Sequence, residues 1–362
     1  MGQPLTYADS GVIVDGESEA MRGLLGWVKQ SFALRQGIGK PLLGLGHFAN
    51  VLDLGGGKGL AVCGDGVGTK ILVAEMLEKY DTIGIDCVAM NVNDLVCVGA
   101  EPIAFLNYIA VQTLDPELLE QLGKGLYAAC AESGVTIPGG ETAQLREMIA
   151  GVREGHGFDL VGTALGTVDL DKVLLGAEVS LGDAVLGLAS SGIHSNGLSL
   201  ARKALFDRAG LRPDERVAEL GRSVGEELLE PTRLYVRPAL ALLHSDVDVK
   251  AMAHVTGGGV LNMRRYQSQF SLSLDWLPEP PKVFGLIQQA AGIGDEEMYV
   301  TFNMGVGLTV IVESADLDKA LRVIRENGHE AWKLGEVVAE PGRQVRLKSK
   351  GLITDGERLV AE

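Results

Sequence analysis

The sequence GLAVCGDGVGTKILVAEMLEK at residues 59–79 decides the fold, because it sets a glycine-rich turn between an apolar strand and a helix. The pattern predicts a strand at Gly59–Cys63 and a helix at Ile71–Lys79. A turn in this position presents backbone N–H groups and a helix N-terminus, both of which favour anions. The segment Gly64–Lys70 is therefore a candidate phosphate-binding loop, and a plain capped turn is the alternative.

Two familiar phosphate-binding patterns do not fit this turn. A Walker A loop requires Gly-Lys-Ser/Thr with a glycine five residues ahead, and Thr69 replaces the last glycine of G-x-G-x-x-G. The turn instead contains Asp65, whose carboxylate would repel phosphates unless Mg²⁺ lies between them. The residue types therefore favour a metal-assisted phosphate loop, with a helix-capping aspartate as the alternative.

Polar side chains interrupt the next predicted helix, Gly84–Gly99, which is otherwise apolar. They are Asn91, Asn93 and Asp94, and a buried Asp94 would be costly without a partner. Asn91 and Asp94 are three residues apart and share a helix face. With Asp65 they predict an oxygen-ligand site for Mg²⁺, whereas a helix end open to solvent is the alternative.

Three more segments place polar residues and glycines after predicted strands. Gly139–Ala143 reads GGETA, Ser190–Gly197 reads SSGIHSNG, and His254–Gly259 reads HVTGGG. The second lacks the G-x-S-x-G elbow of serine hydrolases, so a hydrolase triad is not supported. We interpret all three as ligand-facing loops, although a bare turn or a structural histidine would also fit each one alone.

Composition limits the classes of protein. A chain of 362 residues can form two domains, and the formal net charge of −16 argues against general nucleic-acid binding. No apolar run is long enough to span a bilayer, and the N-terminus lacks a signal pattern. The four cysteines lie in apolar stretches and predict small buried side chains. We expect a cytoplasmic protein without a membrane or nucleic-acid partner.

Periodicity predicts an α+β fold with two α+β domains and no internal repeat. The expected division is 1–169 for the N-terminal domain, 170–345 for the C-terminal domain and 346–362 for a C-terminal tail. The further predicted strands are Ile103–Val111, Val135–Pro138, Leu160–Val168, Ala184–Leu188, Val249–Ala253, Phe270–Leu274, Gly307–Val312 and Val337–Val338. The further predicted helices are Pro116–Gly134, Gly197–Asp207, Leu234–Leu243, Val283–Ala291 and Leu317–Glu326.

Taken together, these segments resemble the phosphoribosylformylglycinamidine cyclo-ligase family, also called aminoimidazole ribonucleotide synthetases. The resemblance runs from about Tyr7 to about Val338, and its strength lies in the order of several motifs. The segments that carry it are Tyr7–Val12, Gly64–Lys70, Asn93–Asp94 with Gly99–Pro102, Gly139–Ala143, Gly182–Asp183, Ser190–Gly197, His254–Gly259 and Phe302–Gly307.

The resemblance implies a homodimer in which N-terminal-domain strands form a barrel across the subunits, with ATP sites near the interface. It implies ATP-dependent closure of formylglycinamidine ribonucleotide to 5-aminoimidazole ribonucleotide in purine biosynthesis, with Mg²⁺. By position, the implied metal ligands are Asp65, Asp94 and Glu141. The implied ATP contacts are Gly64, Gly66, Val67, Gly68, Thr69, Lys70, Asn91, Gly139, Gly140, Glu141 and Thr142. The implied catalytic residues are His194, His254 and Lys70, and the implied substrate contacts are Ser191, Asn196 and Thr256.

Two segments depart from the family pattern. A usual Gly-Gly-Phe-Gly-Gly reads Gly46–Asn50 here, where His47 is either a catalytic addition or a different loop residue. The usual Glu-Met-Pro after GGETA reads Gln144–Arg146. The alternatives are therefore another enzyme of the superfamily, which includes selenophosphate synthetase and thiamine-phosphate kinase, or a catalytically inactive nucleotide-binding paralogue.

Overall fold

The structure, a computed structural model, describes Leu5 and residues 19–362. The segment Tyr7–Val12 of the sequence analysis lies outside the described residues. Two large sheets, each with its own helices, account for most of the chain, so the prediction of two units that mix helices and strands is confirmed. No helix in the described ranges is long and apolar enough to cross a membrane.

The elements alternate along the chain. The helices are α1 Glu19–Ser31, α2 Lys70–Leu77, α3 Ile83–Cys97, α4 Pro116–Ser133, α5 Leu198–Arg202, α6 Val224–Leu228, α7 Val236–Leu243, α8 Lys282–Ala291, α9 Asp295–Thr301 and α10 Leu317–Glu326. The strands of the first sheet are β1 Asn50–Gly55, β2 Lys58–Gly66, β3 Glu101–Val111, β4 Thr136–Gln144 and β5 Phe158–Asp169. The later strands are β6 Ala184–Ala189, β7 Arg216–Val217, β8 Arg222–Ser223, β9 Val249–His254, β10 Phe270–Leu274, β11 Val306–Val312, β12 Ala331–Pro341, β13 Val345–Leu347, β14 Leu352–Asp355 and β15 Arg358–Ala361.

The first sheet has the order β1-β2-β5-β3-β4. Its neighbours are antiparallel except β3 and β4, which run parallel because α4 carries the chain back between them. Helix α4 begins and ends where the sequence predicts. Asp115 accepts hydrogen bonds from the N–H groups of Glu117 and Leu118, and Gly134 ends the helix in the left-handed region at φ 69°. Helix α3 packs between this sheet and α4.

Helices α3 and α4 pack closely against each other at a glycine of α3. A Cβ atom on Gly84 would lie 2.3 Å from the backbone nitrogen of Leu126, so the helices could not keep this separation. We predict that Gly84→Ala lowers the free energy of unfolding by about 1–3 kcal/mol, as overpacking usually does. Gly123, on α4, is the matched control, because a Cβ there meets nothing within 4 Å. Gly123→Ala should be neutral or stabilising by about 1 kcal/mol. Urea denaturation of both variants tests the prediction, which equal effects would contradict.

The second sheet has the order β15-β14-β13-β10-β12-β6-β11-β9. Strands β6 and β11 are fully buried, and they pair with each other next to edge strand β9. Residues 346–362, which the sequence analysis treats as a tail, instead contain most of β13 and all of β14 and β15. These strands are short and hydrogen-bonded to one another and to β10, which a local pattern does not predict.

Residues 230–235, an irregular segment of the second half, make one of the contacts between the two halves. Its main-chain groups are hydrogen-bonded by buried side chains from α2 and α3. Lys70 Nζ donates to Glu230 O at 2.6 Å, Asp86 Oδ1 accepts from Thr232 N at 2.8 Å, Asn93 Nδ2 donates to Arg233 O at 2.9 Å, and Asn93 Oδ1 accepts from Tyr235 N at 2.8 Å. Polar atoms of the first half therefore set the path of the second half beside α3.

Candidate active site between the two sheets

Asp65 lies at the end of β2, where the strand is fastened to α3. The Asp65 N–H donates to Asn91 Oδ1 at 3.0 Å, and Asn91 Nδ2 donates to the Asp65 carbonyl at 3.1 Å. The amide of Asn91 thus bonds the backbone and leaves the Asp65 carboxylate facing outward, where it accepts from the Gly66 N–H at 2.8 Å. The predicted strand and helix are present, but the strand extends through Gly66 and α2 begins at Lys70, so the predicted turn is shortened to Val67–Thr69.

The Asp65 carboxyl is solvent-accessible, yet protein atoms enclose it on several sides. The resulting loss of bulk water raises the pKa of Asp65, and the negative charge of Asp94 adds to this shift. The Gly66 N–H and His254 oppose it without cancelling it. Two carboxylates close enough to affect one another, and open to a ligand, are what a divalent cation favours.

Asp94 on α3 is held by His254 at the end of β9. His254 Nδ1 lies 2.8 Å from Asp94 Oδ1, and because a carboxylate can only accept, Nδ1 carries the proton. His254 Nε2 lies 3.4 Å from Asn93 Nδ2. The His254 side chain is 0% exposed, whereas that of Asp94 is 16% exposed. The imidazole orients Asp94 and does not itself reach the open space, and the catalytic role of His254 remains a prediction.

His194 is also enclosed. Its Nε2 accepts from the Ser191 N–H at 3.2 Å, and its Nδ1 has no partner among the described residues. Burial holds the pKa of His194 well below its usual value, with smaller effects from His254, Lys70 and Arg233. The imidazole packs directly against Gly307, because a Cβ atom on that glycine would lie only 2.6 Å from His194 Cε1. The imidazole is thus packed inside the loop, and the catalytic role of His194 remains a prediction.

Lys70 does not face the turn that precedes it. Its Nζ lies 2.9 Å and 2.8 Å from the two carboxylate oxygens of Asp86, and both side chains are fully buried. The third contact of Nζ is the Glu230 carbonyl. The buried ion pair and the bond to Glu230 direct Nζ away from the open turn, and the phosphate contact and catalytic role of Lys70 remain predictions. Burial lowers the pKa of Lys70 and raises the pKa of Asp86, while their contact opposes both shifts.

Glu141 is separated from the other two predicted metal ligands. The segment Gly139–Thr142 lies inside edge strand β4 and is not a loop, because its parallel pairing with β3 supplies backbone partners. Asp65 is in register with Gly140 three strands away, at about 14 Å. Glu141, the next residue, points to the opposite face of the sheet. No group of three metal-binding side chains occurs in the described part of the chain, so the predicted trio is not assembled within one protomer.

The remaining predicted residues lie near the junction of the two halves. Ser191 Oγ donates to the Pro231 carbonyl at 2.5 Å, Asn196 Nδ2 lies 3.8 Å from Met90 Sδ, and Thr256 Oγ1 accepts from Asn262 at 3.5 Å. Val67 is buried and its N–H donates to Leu160 O at 3.2 Å. Gly68, at φ 71°, and Thr69 are exposed.

Two contacts that no local sequence pattern predicts bring the phosphate-loop candidate to the second half. Thr69 Oγ1 lies 2.9 Å from Ser199 Oγ, and Ser195 Oγ donates to the Val67 carbonyl at 3.4 Å. Ser195 belongs to a quoted segment, but nothing in its pattern distinguishes it from its neighbours. These contacts join the turn after β2 to the loop after β6.

The two segments that depart from the family pattern are both ordered against neighbours. The Arg265 guanidinium lies 4.7 Å from the Phe48 ring centroid, which fixes the loop of His47 on the second half. Burial, with Arg265 nearby, lowers the pKa of His47. Gln144 ends β4, and the next N–H, of Leu145, donates to the Val111 carbonyl at 2.8 Å. Neither segment contacts Asp65 or Asp94 through a described hydrogen bond.

Comparison of the sequence with known proteins identifies the family of this chain. The family model "AIR synthase related protein, N-terminal domain" matches residues 46–168, and "AIR synthase related protein, C-terminal domain" matches residues 181–348. A phosphoribosylformylglycinamidine cyclo-ligase of Methanothermobacter thermautotrophicus is 44% identical over 345 residues, which are 95% of this chain and 97% of that protein. The chain belongs to the phosphoribosylformylglycinamidine cyclo-ligase family.

Solved structures at lower identity share the fold of this family member. The hydrogenase maturation protein HypE in complex with ATP has a TM-score of 0.58 at 22% identity, covering 81% of this chain and 82% of that one. Thiamine-monophosphate kinase from Stenotrophomonas maltophilia K279a has a TM-score of 0.57 at 19% identity, covering 91% and 96%. At these identities the likeness concerns the fold alone.

Proposed function

We propose that this chain catalyses the ATP-dependent closure of formylglycinamidine ribonucleotide to 5-aminoimidazole ribonucleotide, releasing ADP and phosphate, as a ligase of purine biosynthesis. The relatives supply the reaction, and one observation of the structure supports it. Asp65 and Asp94 form a pair of neighbouring carboxylates at the junction of the two halves, beside the exposed Gly68 and Thr69. Such a pair suits a nucleotide that arrives with a divalent cation.

The chemistry requires activation of an amide oxygen. The formamide oxygen attacks the γ-phosphorus of ATP and ADP leaves, which gives an iminophosphate. The amidine nitrogen then attacks the same carbon, the C–O bond breaks with loss of inorganic phosphate, and the imidazole ring closes after proton loss. An amide oxygen leaves poorly until it carries a phosphoryl group, which is why the reaction consumes ATP.

Asp65 and Asp94 fit Mg²⁺, because this ion usually takes one or two carboxylates and completes its shell with waters and phosphates. When bound, Mg²⁺ offsets the charge of the transferring phosphoryl group. His254 keeps Asp94 in its orientation through the 2.8 Å hydrogen bond. Gly64, Gly66 and Gly68 let the backbone approach the nucleotide closely, while Ser191, Asn196 and Thr256 face the ribonucleotide from the second half.

A homodimer completes the proposal. One face of the first sheet is covered by α3 and α4, while the other leaves large apolar side chains exposed. Ile103 is 43% exposed, Tyr108 is 40% exposed and Ile137, on edge strand β4, is 38% exposed. Two protomers pack these faces together as a barrel. Glu141 then lies at the subunit interface near ATP.

The domain boundary lies near 169–170, and the enzyme acts in the cytoplasm.

We expect the purified protein to convert formylglycinamidine ribonucleotide, ATP and Mg²⁺ into equimolar 5-aminoimidazole ribonucleotide and ADP. Chromatography of the nucleotides and a colorimetric assay of the aminoimidazole measure both products. Omission of the ribonucleotide is the control, since ADP release should depend on it. ADP without the imidazole would instead indicate a superfamily enzyme with another acceptor. Neither product would indicate an inactive nucleotide-binding paralogue.

A further inference from the structure

The segment Phe302–Gly305, which contributes no residue to the proposed active site, lies against the loop after β6. Asn303 is buried, and its side-chain Nδ2 donates to the carbonyls of Gly192 at 2.9 Å and Ile193 at 3.2 Å. Its Oδ1 accepts from the Gly305 N–H at 2.9 Å. One amide therefore connects the turn at Gly192 to the turn before β11, and both of its N–H donors are used.

Each of these turns contains a non-glycine residue in the left-handed region. His194 has φ 62° and Met304 has φ 48°. Such conformations persist only where surrounding bonds hold them. The hydrogen bonds of Asn303 lie next to both residues, so they are well placed to hold the two turns in these conformations.

The other end of the loop is held by Phe302. Gly197 has φ 79°, and a Cβ there would lie 2.2 Å from Cε1 of the Phe302 ring. The Ser190 N–H donates to the Gly305 carbonyl at 2.9 Å. The segment Phe302–Gly305 thus contacts the loop Ser190–Gly197 at its start, middle and end.

Phe302, together with Tyr299 of α9, also contacts the loop after β9. A Cβ on Gly259 would lie 2.0 Å from the Tyr299 carbonyl oxygen and 2.9 Å from that of Phe302. Asn196 in turn lies beside Gly257, where a Cβ would be 3.1 Å from Asn196 Oδ1. Phe302 therefore contacts both loops that reach the junction from the second half.

In the loop Ser190–Gly197, Ser195 and Asn196 are half-exposed, whereas Gly192, Ile193 and His194 are buried. We propose that Asn303 is a positioning residue for the ribonucleotide substrate, because its bonds set where Ser195 and Asn196 stand at the junction. The inference rests on the proposed function and adds a residue that does not itself touch the substrate.

Asn303→Asp tests the proposal, because it keeps the shape and the Oδ1 acceptor but removes both N–H donors. We expect KM for formylglycinamidine ribonucleotide to rise at least about tenfold, as displaced substrate contacts do, while KM for ATP changes less than about twofold. Amide hydrogen exchange should accelerate over residues 190–197 and stay unchanged in the first sheet. Asn327→Asp, at the end of α10, is the matched control and should leave all three quantities unchanged.

Equal rises in both KM values, or unchanged exchange over residues 190–197, would overturn the proposal in favour of a merely structural asparagine. If the wild-type protein forms no imidazole, the proposed function fails, and the exchange measurement alone decides whether Asn303 holds the loop. If Asn303→Asp does not fold, Phe302→Leu serves instead, since it loosens the contact at Gly197 and should give the same selective pattern.

Discussion

Replacement of Lys70 by methionine should lower the free energy of unfolding by about 3–5 kcal/mol, the usual loss when one partner of a buried ion pair is removed. The reason is the charge left behind. Asp86 is fully buried and would keep only the N–H and Oγ1 of Thr232 as donors, at 2.8 Å and 2.6 Å. The Glu230 carbonyl would also lose the Lys70 hydrogen bond that joins the two halves. Urea denaturation followed by circular dichroism measures the loss.

Two further variants make this prediction specific. Lys79→Met removes an exposed pair with Asp81 and should change stability by less than about 1 kcal/mol. The double variant Lys70→Met, Asp86→Leu should regain much of the loss, since it removes the stranded charge. Wild-type stability in Lys70→Met would show that Nζ is not part of the junction between the halves.

Replacement of Asp65 by asparagine should reduce kcat for ATP turnover at least about 100-fold, because metal-assisted charge stabilisation contributes several kcal/mol to phosphoryl transfer. The fold should survive the change. Asparagine keeps the size of Asp65, and the bonds of its backbone to Asn91 do not involve the carboxylate. A coupled assay of ADP release and thermal melting of the same sample measure turnover and folding separately.

The pKa of Asp65 also predicts how stability responds to pH. Because this pKa is raised in the folded state, ionised Asp65 destabilises the fold above that pKa, and the cost vanishes below the ordinary value of 3.8. Asp65→Asn should therefore melt at the same or a higher temperature than wild type at pH 7.5, with the difference shrinking towards pH 4. Asp355→Asn, at the exposed last residue of β14, is the control for both readouts. Unchanged turnover in Asp65→Asn would remove this residue from the metal site.

The order of elements around the candidate site could be predicted from the sequence because it depends on short-range patterns. Strand Phe270–Leu274 and helix Leu317–Glu326 occur with the predicted bounds, and α4 begins and ends at its predicted caps. Strands β13, β14 and β15 could not be predicted, since three or four residues carry too little periodicity. The glycines of Gly139–Thr142 predict a loop, whereas parallel pairing with β3 makes this segment a strand.

By itself, the sequence determined which groups are available: glycines and an aspartate where a strand leads into a helix, and a polar face on the next helix. Only the tertiary structure decided which of them meet, because the partners are far apart along the chain. Lys70 bonds Glu230, and Asp94 bonds His254, each across 160 residues. Burial then changes what each group can do. Lys70 and His254 are enclosed by their partners, Glu141 lies three strands from Asp65, and Asp65 and Asp94 keep their carboxylates open to a ligand.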